Sequence, residues 1–216
     1  MPSSKMRIKP QFWPNFFTGS RLVLSLSIFS LLFFGKRFEA LAARGIWQPV
    51  RIYWAVVLGL FLVAWVTDLL DGLAARMAKV ESAWGRIADP LVDKILICGT
   101  FIFLLPLNAA VSAWMVAVIL GREILVSMLR SMAERRGISF EAMPLGKIKM
   151  TSQLLTLGFI ILFKGSFPEK FLDEKPLFLL FLLYFTIAIT LASGIPYVWK
   201  FVRVFPSPTA RKSERN

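Results

Sequence analysis

Six apolar runs, most of them of bilayer-spanning length, alternate with short charged segments along the 216 residues. A transmembrane helix needs about 20 mostly apolar residues, and in lipid every backbone polar group has to be satisfied inside the segment itself. Runs at about 22–35, 52–70, 88–106, 111–129, 148–163 and 176–199 therefore predict an all-α integral membrane protein with six transmembrane helices. An apolar share of 56% and a mean hydropathy of +0.65 exclude an ordinary soluble enzyme. Lys5, Arg7 and Lys9, followed by Phe12, Trp13, Phe16 and Phe17, read as an N-terminal amphipathic segment on the membrane surface. Ala40-Leu41-Ala42 would serve a cleaved signal peptide, but Lys36 and Arg37 after the first run favour an uncleaved anchor. No repeat or second domain interrupts residues 1–205, which read as one membrane domain, and 206–216 read as a polar cytoplasmic tail.

Charge gives the orientation. With both termini on one side, 17 lysines and arginines fall there against 7 on the other, with Arg21 and Arg122 embedded. The positive-inside rule then places the termini in the cytoplasm. The net charge of +13 suits anionic headgroups or phosphate substrates; the chain is too apolar for a nucleic-acid-binding domain, so no nucleic-acid partner is expected.

The chain has no histidine, which removes Ser-His-Asp hydrolysis, a histidine nucleophile, and the usual haem and zinc sites. Cys98, the single cysteine, lies in an apolar run and reads as packing. Carboxylates, cations, hydroxyls and metal ions remain for chemistry.

They concentrate in Asp68-x-x-Asp71-Gly72-x-x-Ala75-Arg76, followed by Gly85-x-x-x-Asp89-x-x-x-Asp93. Asp68 and Asp71 share one helical face, as do Asp89 and Asp93 on the next helix. A short loop joins the helices, so both pairs are expected at one membrane depth, at the ends of their helices. Each aspartate alone would ordinarily be a helix cap or a solvated group; four together repel one another and lose hydration. That arrangement calls for bound cations, and ligation by oxygen alone selects Mg²⁺ or Mn²⁺, with enough carboxylates for two ions. Gly72 permits close approach by a ligand, Arg76 offers a planar fork for phosphate, and Ser82 lies within reach of the same ligand.

The pattern D-x2-D-G-x2-A-R-x8-G-x3-D-x3-D resembles the signature of the CDP-alcohol phosphatidyltransferases, matched from Asp68 to Asp93 at every fixed position. The resemblance implies a six-helix, usually dimeric membrane enzyme acting on CDP-diacylglycerol. It implies one metal on Asp68, Asp71 and Asp89, a second on Asp68, Asp89 and Asp93, and Asp93 as general base. It also implies a nucleotide site lined by Gly72, Arg76, Ser82 and Gly85. Pro14-Asn15-x-x-Thr18-x-x-Arg21 resembles the family's P-N-x2-T-x2-R at the first helix, which places Asn15 and Thr18 near the nucleotide.

Three further stretches bear on the acceptor alcohol. Asp89-Pro90-Leu91-Val92-Asp93-Lys94, Arg122-Glu123-Ile124 and Gly146-Lys147-Ile148-Lys149-Met150-Thr151-Ser152-Gln153 resemble the bacterial branch that makes phosphatidylglycerophosphate in the inner membrane. That implies sn-glycerol 3-phosphate as acceptor. Arg122 lies seven residues before the expected end of its helix, about 10 Å deep at 1.5 Å per residue. Charge at that depth usually faces a cavity, although snorkelling or a pair with Glu123 would also house it. Arg122, Arg130, Lys147 and Lys149 are the candidate acceptor-phosphate ligands. The rival readings are the same chemistry on phosphatidylglycerol, inositol phosphate or serine, and a cation transporter with an aspartate-lined path.

Overall fold

A computed structural model describes residues 12–78, 83–108, 110–137, 144–167 and 177–204, and their side chains except at 12–17, 71–78, 83–90, 144 and 204. The expected surface residues 1–11 and the tail 206–216 lie outside the described residues.

Every regular element among the described residues is α-helical: α1 (Phe12–Phe33), α2 (Gly35–Ala43), α3 (Trp47–Ala78), α4 (Ala83–Leu104), α5 (Ala113–Glu134), α6 (Pro144–Ser166), α7 (Leu177–Ala192) and α8 (Ile195–Val204). Among the described residues, four stretches are long and apolar enough to cross a membrane: Thr18–Ala43, Trp47–Leu70, Leu145–Ser166 and Leu177–Arg203. α4 and α5 occupy the third and fourth expected spans and have 22 residues each, enough for about 33 Å. Both carry charged residues within the helix, among them Asp93 and Lys94 in α4 and Arg122 and Glu123 in α5. The protein is thus a multi-pass, all-helical membrane protein.

The helices differ from the sequence reading at their ends. α1 begins at Phe12 and runs unbroken into the first span, which starts at Thr18, so the aromatic stretch 12–17 is the helical lead-in to that span. α3 continues to Ala78, so Asp68 and Asp71 lie more than a turn inside it rather than at its end. α5 extends to Glu134, which puts Arg122 12 residues, about 18 Å, from that end. The last span is broken at Ser193–Gly194 into α7 and α8. Glycines in the left-handed region close two helices, Gly45 (φ 78°) after α2 and Gly137 (φ 72°) after α5, where a side chain would be strained.

Buried positions recur every three or four residues and change character along each helix. On α1 the stripe runs Thr18, Arg21, Ser25, Ile28 and Leu32; on α3 it runs from Tyr53 and Trp54 through Val57, Phe61 and Ala64 to half-buried Asp68. On α6 it begins with Lys149 and Gln153 and continues to Leu157, Ile160 and Ile161. The bundle is mainly apolar towards one end and polar towards the other, where Arg21, Asp68, Lys149 and Gln153 lie. Lipid gives little hydrophobic drive to helix association, so hydrogen bonds and close backbone approach carry more of it. The α6–α7 seam shows this: Thr156 Oγ1 meets Thr186 Oγ1 at 2.8 Å, and Gln153 Nε2 donates to Thr190 Oγ1 at 3.2 Å. At the apolar end Lys164 Nζ reaches Glu39 Oε1 at 2.6 Å and tethers α6 to α2.

Close approach is clearest where α6 meets α3. A Cβ on Gly165 would lie 2.9 Å from Cβ of Trp54, the root of a fully buried side chain that cannot swing aside. Gly165→Ala should therefore lower stability by about 1–3 kcal/mol through overpacking, read as a reduced thermal midpoint in detergent. An unchanged midpoint would mean that α3 and α6 do not meet this tightly.

Candidate active site

Three helices bring one charged cluster together. Arg21 on α1 is almost wholly buried, at 1% exposure, and its Nη1 lies 2.9 Å from Asp68 Oδ1 on α3. The same Nη1 donates to Asp93 Oδ1 on α4. One guanidinium nitrogen thus bridges two carboxylates that are 25 residues apart in sequence. This puts Asp68 and Asp93 at a common depth, as expected for helices joined by a short loop, although α1 packs against both and supplies the link between them. It also amends that reading: bound metal is not the only compensation, because a permanent cation from α1 already stands between two of the acids.

Asp71 and Gly72 follow Asp68 on α3 with Arg76 a turn beyond, and Gly85 and Asp89 precede Asp93 on α4. The side chains of these residues and of Asn15 lie outside the described ones, as does the whole of Ser82. Thr18 is described: it is buried one turn before Arg21 on the same face of α1. Asp68 and Asp93 fit a divalent cation. They supply hard oxygen donors from two helices, aimed at one point where a cationic atom already sits.

Beside this cluster lies a cavity of about 240 Å³ with a strongly basic lining. Lys94, Arg122, Arg130, Lys147 and Lys149 contribute to it, against the single carboxylate of Glu123. All four expected acceptor-phosphate residues are brought together here. Arg122 Nη2 donates to Ser193 Oγ at 2.9 Å and to Ser193 O at 3.1 Å, at the α7–α8 break. Its contact with Glu123 is longer, 3.4 Å, because Glu123 turns instead to an ion pair with Lys149. Arg130 reaches the Tyr197 hydroxyl at 3.2 Å, and Lys94 Nζ donates to Ser127 Oγ at 2.5 Å. These partners fix the cations by neutral hydroxyls, a carbonyl and one acid, so most of the positive charge stays available to an incoming anion.

A second cavity of about 170 Å³ adjoins the first and shares with it Lys94, Glu123, Gly146, Lys149 and Met150. Asp93 and Gln153 line it as well. Asp93 therefore has two neighbourhoods, the Arg21–Asp68 cluster and the vestibule of the basic cavity. Such a carboxylate can accept a proton from a group delivered by the cavity.

Five further participants lie outside the residues expected from sequence: Arg21, Lys94, Glu123, Ser193 and Tyr197. Arg21 was visible as an embedded arginine closing the P-N-x2-T-x2-R stretch, and Lys94 as the residue after Asp93. Glu123 was weighed only as a partner for Arg122. Ser193 and Tyr197 carried no local signal, since only the break in the last span turns them towards α5.

Removing the bridge tests the cluster. Arg21→Met should destabilise chelator-treated protein by about 1–3 kcal/mol. That is less than the roughly 3–5 kcal/mol for a fully buried broken pair, because Asp68 and Asp93 are 27% and 24% exposed. Added Mg²⁺ or Mn²⁺ should recover part of the loss by supplying another cation, read as a rise in thermal midpoint; a variant as stable as wild type without metal would contradict the bridge.

Comparison with known proteins bears on this arrangement. Residues 11–195 match the CDP-alcohol phosphatidyltransferase family. The chain is 34% identical over 128 residues to the CDP-diacylglycerol–glycerol-3-phosphate 3-phosphatidyltransferase of Bacillus subtilis, a stretch covering 59% of this chain and 66% of that protein. It is 33% identical over 158 residues to CDP-diacylglycerol–glycerol-3-phosphate 3-phosphatidyltransferase 2 of Arabidopsis thaliana, covering 67% and 66%. With the enzyme of that name from Rickettsia felis the figures are 37% over 108 residues, covering 50% and 59%. The aligned stretches thus span just under two thirds of the relatives' lengths. With most of its length matched, the chain belongs to the CDP-alcohol phosphatidyltransferase family.

Proposed function

We propose that the protein transfers the phosphatidyl group of CDP-diacylglycerol to sn-glycerol 3-phosphate, forming phosphatidylglycerophosphate and CMP. The observation that carries the reading is the basic cavity opening beside Asp93. A dianionic phosphomonoester needs its own cations when it enters next to a pyrophosphate. The five basic side chains facing one carboxylate meet that need. The names of the relatives support the same acceptor.

In this reading the acceptor phosphate rests among Arg122, Arg130, Lys147 and Lys149, with Lys94 at its flank. The glycerol end then points into the adjoining cavity, where Asp93 accepts the proton of the attacking hydroxyl. The hydroxyl oxygen forms a bond to the lipid-side phosphorus, the bond from that phosphorus to the bridging oxygen breaks, and CMP leaves with the electron pair. Members of this family use divalent metals. We assign two Mg²⁺ or Mn²⁺ ions to Asp68, Asp71, Asp89 and Asp93, where they would neutralise the pyrophosphate and the leaving CMP. Arg21 holds Asp68 and Asp93 at their mutual distance. Asn15, Thr18, Gly72, Arg76, Ser82 and Gly85 are assigned to the nucleotide. A homodimer in a bacterial inner membrane, with the site facing the cytoplasm, accords with the charge asymmetry and with the implied family habit.

Acceptors without a phosphomonoester, namely phosphatidylglycerol and serine, make less demand on the cations of the basic cavity, and inositol phosphate would use the same cations. Release of CMP from CDP-diacylglycerol and Mg²⁺ with each acceptor in turn distinguishes them. The proposal requires sn-glycerol 3-phosphate to be preferred, and preference for any other acceptor contradicts it. Asp93→Asn should abolish turnover while CDP-diacylglycerol still binds; wild-type turnover would exclude Asp93 as the base. Arg122→Ala or Lys147→Ala should raise the KM for glycerol 3-phosphate by about ten- to a hundredfold, one charge-assisted contact being worth about 1.5–3 kcal/mol. The KM for CDP-diacylglycerol should change far less, and equal effects on both substrates would refute the acceptor role of these residues.

A further inference from the structure

Gln153 has no part in the chemistry described so far, yet it is placed as a ligand. It is completely buried on α6 and lines the 170 Å³ cavity together with Asp93. One end of its amide is anchored across the α6–α7 seam, where Nε2 donates to Thr190 Oγ1 at 3.2 Å. The other end, Oε1, is buried with no hydrogen-bond partner. A buried polar atom left unmatched is rare and calls for an explanation. Turning the amide over does not remove the difficulty, because Thr190 satisfies only one of its ends and the remaining group changes from acceptor to donor.

We infer that Gln153 recognises the non-reacting hydroxyl of the acceptor alcohol, and so sets specificity for a vicinal diol phosphate. This rests on the acceptor reading above and deepens it. With the acceptor phosphate in the basic cavity and the attacking hydroxyl at Asp93, the carbon between them carries a second hydroxyl. That hydroxyl enters the space lined by Asp93, Lys94, Glu123, Lys149 and Gln153. It loses water there and needs a partner, as does the Gln153 amide, so each satisfies the other. A hydroxyl can donate to Oε1 or accept from the amide, so the match holds for either amide orientation. The Thr190 anchor fixes the side chain in advance and limits the ordering cost on binding.

The test compares sn-glycerol 3-phosphate with 3-hydroxypropyl phosphate, which keeps the phosphate and the attacking hydroxyl but lacks the middle one. With CDP-diacylglycerol and Mg²⁺ present, wild type should favour glycerol 3-phosphate by about ten- to a hundredfold in kcat/KM. In Gln153→Met that preference should fall to within about threefold of unity, mainly through loss of activity on glycerol 3-phosphate. Gln153→Asn keeps an amide but withdraws it by one methylene, gives an intermediate ratio, and decides the matter if the methionine variant does not fold. A purely structural role would lower both acceptors together and leave the ratio unchanged. A wild-type ratio in either variant, or no preference in wild type, overturns the inference. Failure of wild type to use either glycerol 3-phosphate or its analogue would instead overturn the acceptor reading, and this inference would fall with it.

Discussion

A single guanidinium between two carboxylates sets the conditions for the rest of the molecule. Arg21, itself almost wholly buried, joins α1 to the half-buried Asp68 of α3 and Asp93 of α4. Two aspartates facing one another there would otherwise repel. With Arg21 in place they can lie close together, their oxygens converging on one point. Arginine suits this position because its charge is permanent and its nitrogens are spaced for carboxylates. The clamp thus links the helix packing to the readiness of the site.

The graded stripes on the helices explain why the clamp sits where it does. Apolar packing around Trp54, Phe61 and Leu157 fills one part of the bundle, while Lys149, Gln153 and Asp93 gather in another. Hydrogen bonds between α6 and α7 supply directional attraction that lipid does not provide. The break at Ser193–Gly194 then turns Ser193 towards Arg122 and Tyr197 towards Arg130. One helix interruption in this way builds the far wall of the basic cavity.

Much of this was legible in the sequence because both signals are local. Apolar runs located the helices, and aspartates at spacings of three and four located the acids on helical faces. Arg122, Arg130, Lys147 and Lys149 were singled out one by one, and their meeting in one cavity accords with that reading. What escaped depended on contacts between distant segments. Arg21 is 47 residues from Asp68, so its isolation in an apolar run marked it as unusual without naming its partners. The closer pairing of Glu123 with Lys149 than with Arg122 is decided by how α5 and α6 face each other. Helix ends shifted as well, because α3 and α5 tolerate charged residues in their final turns where an apolar count stops short.

Whether Asp68 and Asp93, the pair bridged by Arg21, share a divalent cation as proposed can be read from anomalous scattering of Mn²⁺ in crystals grown with CDP-diacylglycerol. A peak is expected within coordination distance, about 2.0–2.3 Å, of carboxylate oxygens from both Asp68 and Asp93. A peak that touches neither residue, or saturating Mn²⁺ with no peak between α3 and α4, would contradict the proposal.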